Sequence, residues 1–165
     1  MSRPFISFLT DFGPDGPAAV CRGVMLAIAP DASIVDIAHG VRKFAIRDGA
    51  ILFASALPYF RVGVAVGVVD PGVGTERLPI AIRTGRGDLL VGPDNGLFRP
   101  VAQALGGIME ARVHQRCRSW PCFLNCLSRA PAVAAMLPRA SQTALSSPSR
   151  AKAYSMQNER GDMAS

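Results

Sequence analysis

The chain has 165 residues, of which 49% are hydrophobic, enough for one domain with a buried core. No apolar run reaches the roughly 18 residues of a membrane span, and the first residues lack the apolar stretch and cleavage site of a signal peptide. The net charge of +6 would favour an acidic partner if it were clustered. We therefore expect a cytoplasmic protein without a membrane partner.

The basic charge is unevenly distributed along the chain. Residues 1–111 hold ten Lys or Arg and ten Asp or Glu, whereas residues 112–165 hold eight and two. Fifteen of the sixteen glycines precede residue 112, and three of the four cysteines follow it. These differences predict an α/β domain over 1–113 and an irregular basic tail over 114–165.

The N-terminal part alternates between strand-like and helix-like patterns. In chain order, these patterns predict strand 5–9, helix 18–29, strand 33–37, helix 46–57, strands 62–69, 78–83 and 88–91, helix 98–105 and strand 107–113. Such alternation predicts an α/β fold with a largely parallel sheet flanked by helices. Beyond residue 113 no period is sustained, which predicts a poorly ordered or weakly helical tail.

Apolar residues at helical spacing predict which helix faces pack on the sheet. The predicted buried faces are Val20, Val24, Ala27 and Ile28 in the first helix, and Ile46, Ala50, Phe53 and Leu57 in the second.

Polar residues stand in the loops that follow the predicted strands. Because loops after parallel strands gather at one edge, Asp11 and Asp70 are expected to face one crevice. A carboxylate there suits a ribose diol, because its two oxygens can accept hydrogen bonds from both hydroxyls. Other interpretations stay open: Asp11 as a turn residue, Asp94 and Asn95 as a tight turn, and Asp70 with Arg77 as a structural ion pair.

Four motifs occur in order: Thr10-Asp11-Phe12-Gly13, Ile34-Val35-Asp36-Ile37-Ala38-His39, Val69-Asp70-Pro71-Gly72-Val73-Gly74-Thr75 and Val91-Gly92-Pro93-Asp94-Asn95-Gly96. Together they resemble the N-terminal domain of the S-adenosyl-L-methionine hydrolases (adenosine-forming), the hydroxide-using branch of the fluorinase/chlorinase superfamily. The resemblance covers residues 5–113.

The resemblance implies a reaction in which water attacks ribose C5′ of S-adenosylmethionine and displaces methionine, leaving adenosine, with no cofactor. Asp11 would hold the ribose hydroxyls, and Asp70 with Arg77 would orient and polarise the water. Asp94 and Asn95 are the further substrate-binding candidates. A carboxylate at Asp70 repels halide and accepts a hydrogen bond from water, which favours hydrolysis over halogenation.

The sequence departs from the family pattern near residue 113. The family's third water-activating residue, a histidine in a Thr-Phe-His-Gly-Arg-Asp-like segment, has no match, because the neighbours of His114 differ and His39 is interpreted as structural. No segment resembles the family's C-terminal β-rich domain. In the family that domain completes the site across the subunits of a homotrimer. We therefore expect this chain to hold half of the site. Without that domain a homotrimer is possible but less expected. We hypothesise that a frameshift produced the tail.

The tail admits rival interpretations. His114, Cys117, Cys122 and Cys126 lack the paired spacing of structural zinc sites, so no metal is expected. Its arginines are scattered, so no nucleic-acid partner is expected either. The alternative to a hydrolase is a non-catalytic remnant or ligand-binding scaffold.

Overall fold

A computed structural model describes residues 3–72 and 78–113 of the chain. The elements in chain order are β1 (Phe5–Thr10), α1 (Pro17–Ile28), β2 (Ser33–Ala38), α2 (Ile46–Ala56), a 3-10 turn (Leu57–Tyr59), β3 (Val64–Val68), β4 (Pro79–Thr84), β5 (Leu89–Pro93), α3 (Arg99–Ala104) and β6 (Ile108–Val113). Every element predicted for 5–113 is present, with its ends within two residues of the prediction. The predicted tail lies outside the described residues.

The strands form one six-stranded mixed sheet in the order β2-β1-β3-β5-β4-β6. Strands β2, β1, β3 and β5 are parallel neighbours, whereas β4 runs antiparallel to both β5 and β6. The short connection between β4 and β5 forms a hairpin, because a parallel crossover needs a dozen or more residues. The prediction of a largely parallel sheet flanked by helices is therefore confirmed.

The direction of the chain reverses at β1. After β1 the chain passes through α1 to β2 on one side, and then through α2 to β3 on the other. Two separate core clusters show that α1 covers one face of the sheet, while α2 and α3 cover the opposite face. The carboxyl ends of β1 and β3 therefore form a topological switch point, where open α/β sheets bind ligands.

The predicted buried face of α2 is confirmed. Ala50, Phe53 and Leu57 are at most 4% exposed, and Ile46 packs against the same cluster. The Phe53 and Phe98 rings have centroids 5.8 Å apart and join α2 to the segment before α3. The apolar periodicity of α2 is clear because its outward positions include Arg47, Asp48 and Ser55.

The predicted buried face of α1 is only partly right. Val24 packs against the core, but Val20 is 67% exposed, and the fully buried residues of the helix are Ala18, Cys21 and Met25. Arg22 is the helix's only charged residue, so its apolar pattern does not single out one face. Burial raises the pKa of the Cys21 thiol, which favours the neutral thiol.

None of the helices within residues 3–72 and 78–113 has the length and apolar character that a membrane crossing requires.

Candidate active site

An open cleft of about 620 Å³ lies at the carboxyl ends of β1, β2 and β3. Three chain segments line it: the loop after β1, the loop after β2, and the end of β3. The lining residues are Asp11, Phe12, Gly13, Pro14, Pro17, Gly40, Val41, Lys43, Phe44, Val68 and Asp70. The parallel sheet thus brings Asp11 and Asp70, which are far apart in sequence, to one cleft.

Asp11 follows β1 directly and is held by two backbone contacts. Its amide donates to the carbonyl of Val68 at 3.2 Å, which ties the β1 loop to the end of β3. Its Oδ2 accepts a 2.8 Å hydrogen bond from the amide of Phe44. A carboxylate oxygen has two lone pairs, so this bond leaves Asp11 able to accept hydroxyl protons from a ligand.

The segment Arg42–Phe44 positions the amide that contacts Asp11. Phe44 has φ of 65°, and no other non-glycine residue among those described has a positive φ. This conformation is uncommon for a bulky residue, and such backbone strain clusters at ligand sites. The Phe44 side chain is half exposed, with Nζ of Lys43 5.5 Å from its ring centroid.

The sequence analysis did not single out Phe44 or Lys43. The available signal is an aromatic residue placed between two basic residues, Arg42 and Lys43, and the start of a helix.

Asp70 follows the buried residue Val69 and begins a tight turn. Its Oδ1 accepts a 2.9 Å hydrogen bond from the amide of Gly72, which is the geometry of an Asx turn. The side chain is partly buried at the cleft. Arg77, its predicted catalytic partner, lies outside the described residues, so the choice between catalytic pair and structural ion pair stays open.

Asp94 and Asn95 do not line the cleft. Asn95 Nδ2 donates to the carbonyl of Val69 at 2.7 Å, and its Oδ1 accepts from the amide of Leu97 at 3.1 Å. The following Gly96 has φ of 87°, as a tight turn requires. This geometry favours the turn interpretation: Asn95 fixes the backbone immediately before Asp70. A substrate contact by either residue stays a prediction.

His39 connects the β2 end to the Asp11 loop. Its Nδ1 lies 2.9 Å from Oγ1 of Thr10, and its carbonyl accepts a 2.8 Å hydrogen bond from Gly13. Its ring packs edge-on against Phe8, with centroids 4.9 Å apart. The structure thus gives the histidine a local supporting position beside the cleft rather than a place in its lining.

No group of three or more His, Cys, Asp or Glu within 3–72 and 78–113 is arranged to hold a metal ion. The four tail residues weighed for zinc lie outside these ranges.

The fold and the cleft define an α/β domain that presents carboxylates to a ligand at a topological switch point. The family model for the SAM hydroxide adenosyltransferase N-terminal domain matches residues 6–122, and the chain belongs to this family. The match extends beyond the boundary predicted at residue 113.

Individual relatives are consistent with this assignment. An (R)-S-adenosyl-L-methionine hydrolase from Salinispora arenicola is 51% identical over 111 residues, which cover 67% of this chain and 42% of that protein. A fluorinase from Nocardia brasiliensis is 34% identical over 83 residues, 49% of this chain and 28% of the fluorinase. The chain therefore spans less than half the length of the hydrolase it matches.

The fold also matches a solved structure. The crystal structure of a conserved hypothetical protein from Thermus thermophilus aligns with a TM-score of 0.68 at 36% identity, covering 87% of this chain and 57% of that one.

Proposed function

We propose that this chain forms the nucleoside-binding and water-activating part of a site that hydrolyses S-adenosylmethionine to adenosine and L-methionine. The observation that carries the proposal is the placement of Asp11 and Asp70 in one cleft at the carboxyl ends of adjacent strands. The likeness to (R)-S-adenosyl-L-methionine hydrolases supports the choice of substrate.

Asp11 binds the ribose. The Phe44 amide fixes the orientation of its carboxylate before a ligand arrives, so little side-chain freedom is lost on binding. Hydrogen bonds from hydroxyls to a fixed carboxylate are charge-assisted and stronger than those between neutral groups.

Asp70 orients the attacking water. The Asx turn with Gly72 holds the carboxylate, which accepts a hydrogen bond from the water and so directs an oxygen lone pair of the water at C5′. A halide has no proton to donate and is repelled by this charge, so the carboxylate favours hydrolysis over halogenation. Arg77 is the predicted partner of Asp70 in polarising the water.

The leaving group requires no acid catalyst. The C5′–sulfur bond breaks with its electron pair passing to the sulfonium, which becomes the neutral thioether of methionine. The water oxygen forms the new bond to C5′ and releases one proton to solvent. The carboxylates of Asp11 and Asp70 also attract the cationic substrate into the cleft.

The direct test is incubation of the purified chain with each sulfonium epimer of S-adenosylmethionine, with adenosine and methionine quantified by chromatography. We expect turnover that Asp70→Asn lowers by at least about a hundredfold, because the charge that orients the water is lost. Asp31→Asn is the matched control: Asp31 is exposed at the amino end of β2, the opposite edge of the sheet. Unchanged turnover in Asp70→Asn would contradict the assigned role.

The second candidate is ligand binding without catalysis, favoured by the short span of the chain relative to the hydrolase it matches. Calorimetric titration with adenosine separates the two. Adenosine binding without product formation supports the binding scaffold, and absence of both refutes both.

A further inference from the structure

Thr10, immediately before Asp11, has a buried hydroxyl whose hydrogen bonds can be fully assigned. The residue is 0% exposed. Its Oγ1 accepts a 3.3 Å hydrogen bond from the amide of Phe12 and lies 2.9 Å from Nδ1 of His39. The described residues offer the hydroxyl proton no other acceptor.

The donors and acceptors around Thr10 determine which ring nitrogen of His39 carries the proton. An unpaired buried hydroxyl proton is unfavourable, so the Thr10 hydroxyl donates to Nδ1. Nδ1 is then the ring's acceptor, and the single proton of the neutral imidazole is on Nε2. Nε2 is buried and lies 3.1 Å from Oδ1 of Asp36, an ion-pair distance, although it has no well-aligned hydrogen-bond partner in the described chain.

The groups around the ring favour this arrangement. Asp36 on β2 presents a carboxylate to the Nε2–H side, and Arg22 of α1 holds that carboxylate through a salt bridge. The Phe8 ring of β1 packs edge-on against the imidazole and fixes its plane. Side chains from β1, β2 and α1 thus converge on one imidazole behind the cleft.

We propose that His39, as the neutral Nε2–H tautomer, is a positioning residue that holds the Asp11 loop in its ligand-binding geometry through the Thr10 hydroxyl. The Phe12 amide donates to the Thr10 hydroxyl, and that hydroxyl donates to Nδ1 of His39, so the two hydrogen bonds hold the residues on both sides of Asp11. Only the consequence for ligand affinity rests on the proposed function.

Two substitutions separate this role from a packing role. Asparagine places its amide oxygen near the position of Nδ1, so His39→Asn keeps an acceptor for Thr10. Glutamine places its terminal atoms near Nε2, so His39→Gln keeps a polar group next to Asp36 but loses the acceptor for the Thr10 hydroxyl. Both lose the contact with the Phe8 ring, so their melting temperatures should fall together.

Adenosine affinity, measured by calorimetry, is expected to fall about tenfold in His39→Gln and at most about threefold in His39→Asn, since one well-placed hydrogen bond contributes about this much. Thr10→Val also removes the acceptor of the Phe12 amide, so it should lose at least as much affinity as His39→Gln, and adding His39→Gln to it should cause little further loss. Equal affinities in the Asn and Gln variants would overturn the proposal.

A ligand-free measurement keeps the inference apart from the proposed function. Nitrogen-15 NMR of the imidazoles, with His39→Asn used for assignment, should find the neutral ring of His39 protonated on Nε2. Thr10→Val should shift the Phe12 amide resonance. Protonation on Nδ1 overturns the inference whether or not adenosine binds, whereas absence of adenosine binding with the Nε2–H tautomer present counts against the proposed function alone.

Discussion

At the scale of single residues, the cleft depends on how its two carboxylates are held. Both Asp11 and Asp70 accept hydrogen bonds from backbone amides, those of Phe44 and Gly72. A hydrogen bond from an amide orients a carboxylate without neutralising its charge, and it leaves lone pairs that can accept hydrogen bonds from hydroxyls or water.

Replacement of Asp11 tests the ribose contact. Asp11→Asn keeps an oxygen for the Phe44 amide but loses the charge, so adenosine affinity should fall about 10- to 100-fold. Binding of 2′,3′-dideoxyadenosine, which lacks both hydroxyls, should change at most about threefold. The control is Asp15→Asn, an exposed residue nearby that does not line the cleft. Equal losses for the two nucleosides in calorimetry would refute the contact.

At the scale of elements, the β4–β5 hairpin is fixed by an ion pair whose carboxylate is buried. Arg86 donates to both carboxylate oxygens of Asp88, at 2.7 and 2.9 Å, and to the carbonyls of Leu57 and Pro58 after α2. The hydrogen bonds to Asp88 are the main cause of the raised pKa of Arg86. The hairpin is thereby joined to the 3-10 turn that follows α2.

Loss of this pair should be costly because Asp88 is only 2% exposed. Arg86→Met leaves the Asp88 carboxylate buried without a cation, so the free energy of unfolding should fall by about 3 kcal/mol. Arg83→Met removes an exposed partner of Glu110 and should lower the same quantity by less than about 1 kcal/mol. Denaturant titration of both variants measures the difference. Similar small effects would show that water screens Asp88.

At the scale of the whole molecule, the sheet must approach the layer formed by α2 and α3 closely. A Cβ at Gly67 of β3 would lie 2.4 Å from Cε2 of Phe53 and 2.9 Å from Cδ2 of Leu97. Both side chains are 0% exposed, so neither has room to move. The glycine therefore sets the distance between β3 and α2, and with it the position of the strand that ends at Asp70.

Two glycine substitutions should have opposite effects on stability. Gly67→Ala overpacks the interface and should lower the free energy of unfolding by about 2 kcal/mol. Gly23→Ala, on the exposed side of α1 where nothing lies within 4 Å, should raise it by about 0.5–1 kcal/mol. Thermal and denaturant unfolding give both signs. A neutral Gly67→Ala would mean that the layers can separate to accommodate the methyl group.

Sequence patterns predicted the elements well wherever local chemistry was decisive. Pro30 and Pro58 follow helices, and Val-rich runs mark the buried strands, so boundaries could be placed within two residues. The buried face of α1 could be predicted only in part, since Val20 and Cys21 are both apolar and only contact with the sheet distinguishes them.

The sequence by itself determined the α/β class, the order of the elements, the family resemblance and the candidate carboxylates, because these follow from local periodicity and short motifs. The structure places Asp11 and Asp70 in one cleft, as their positions after two predicted strands led us to expect. Only the tertiary structure decided that Asn95 supports the Val69 backbone, and that Phe44 and His39 hold the Asp11 loop. The reason is that these contacts join residues far apart in the chain, and strand order and register bring them together.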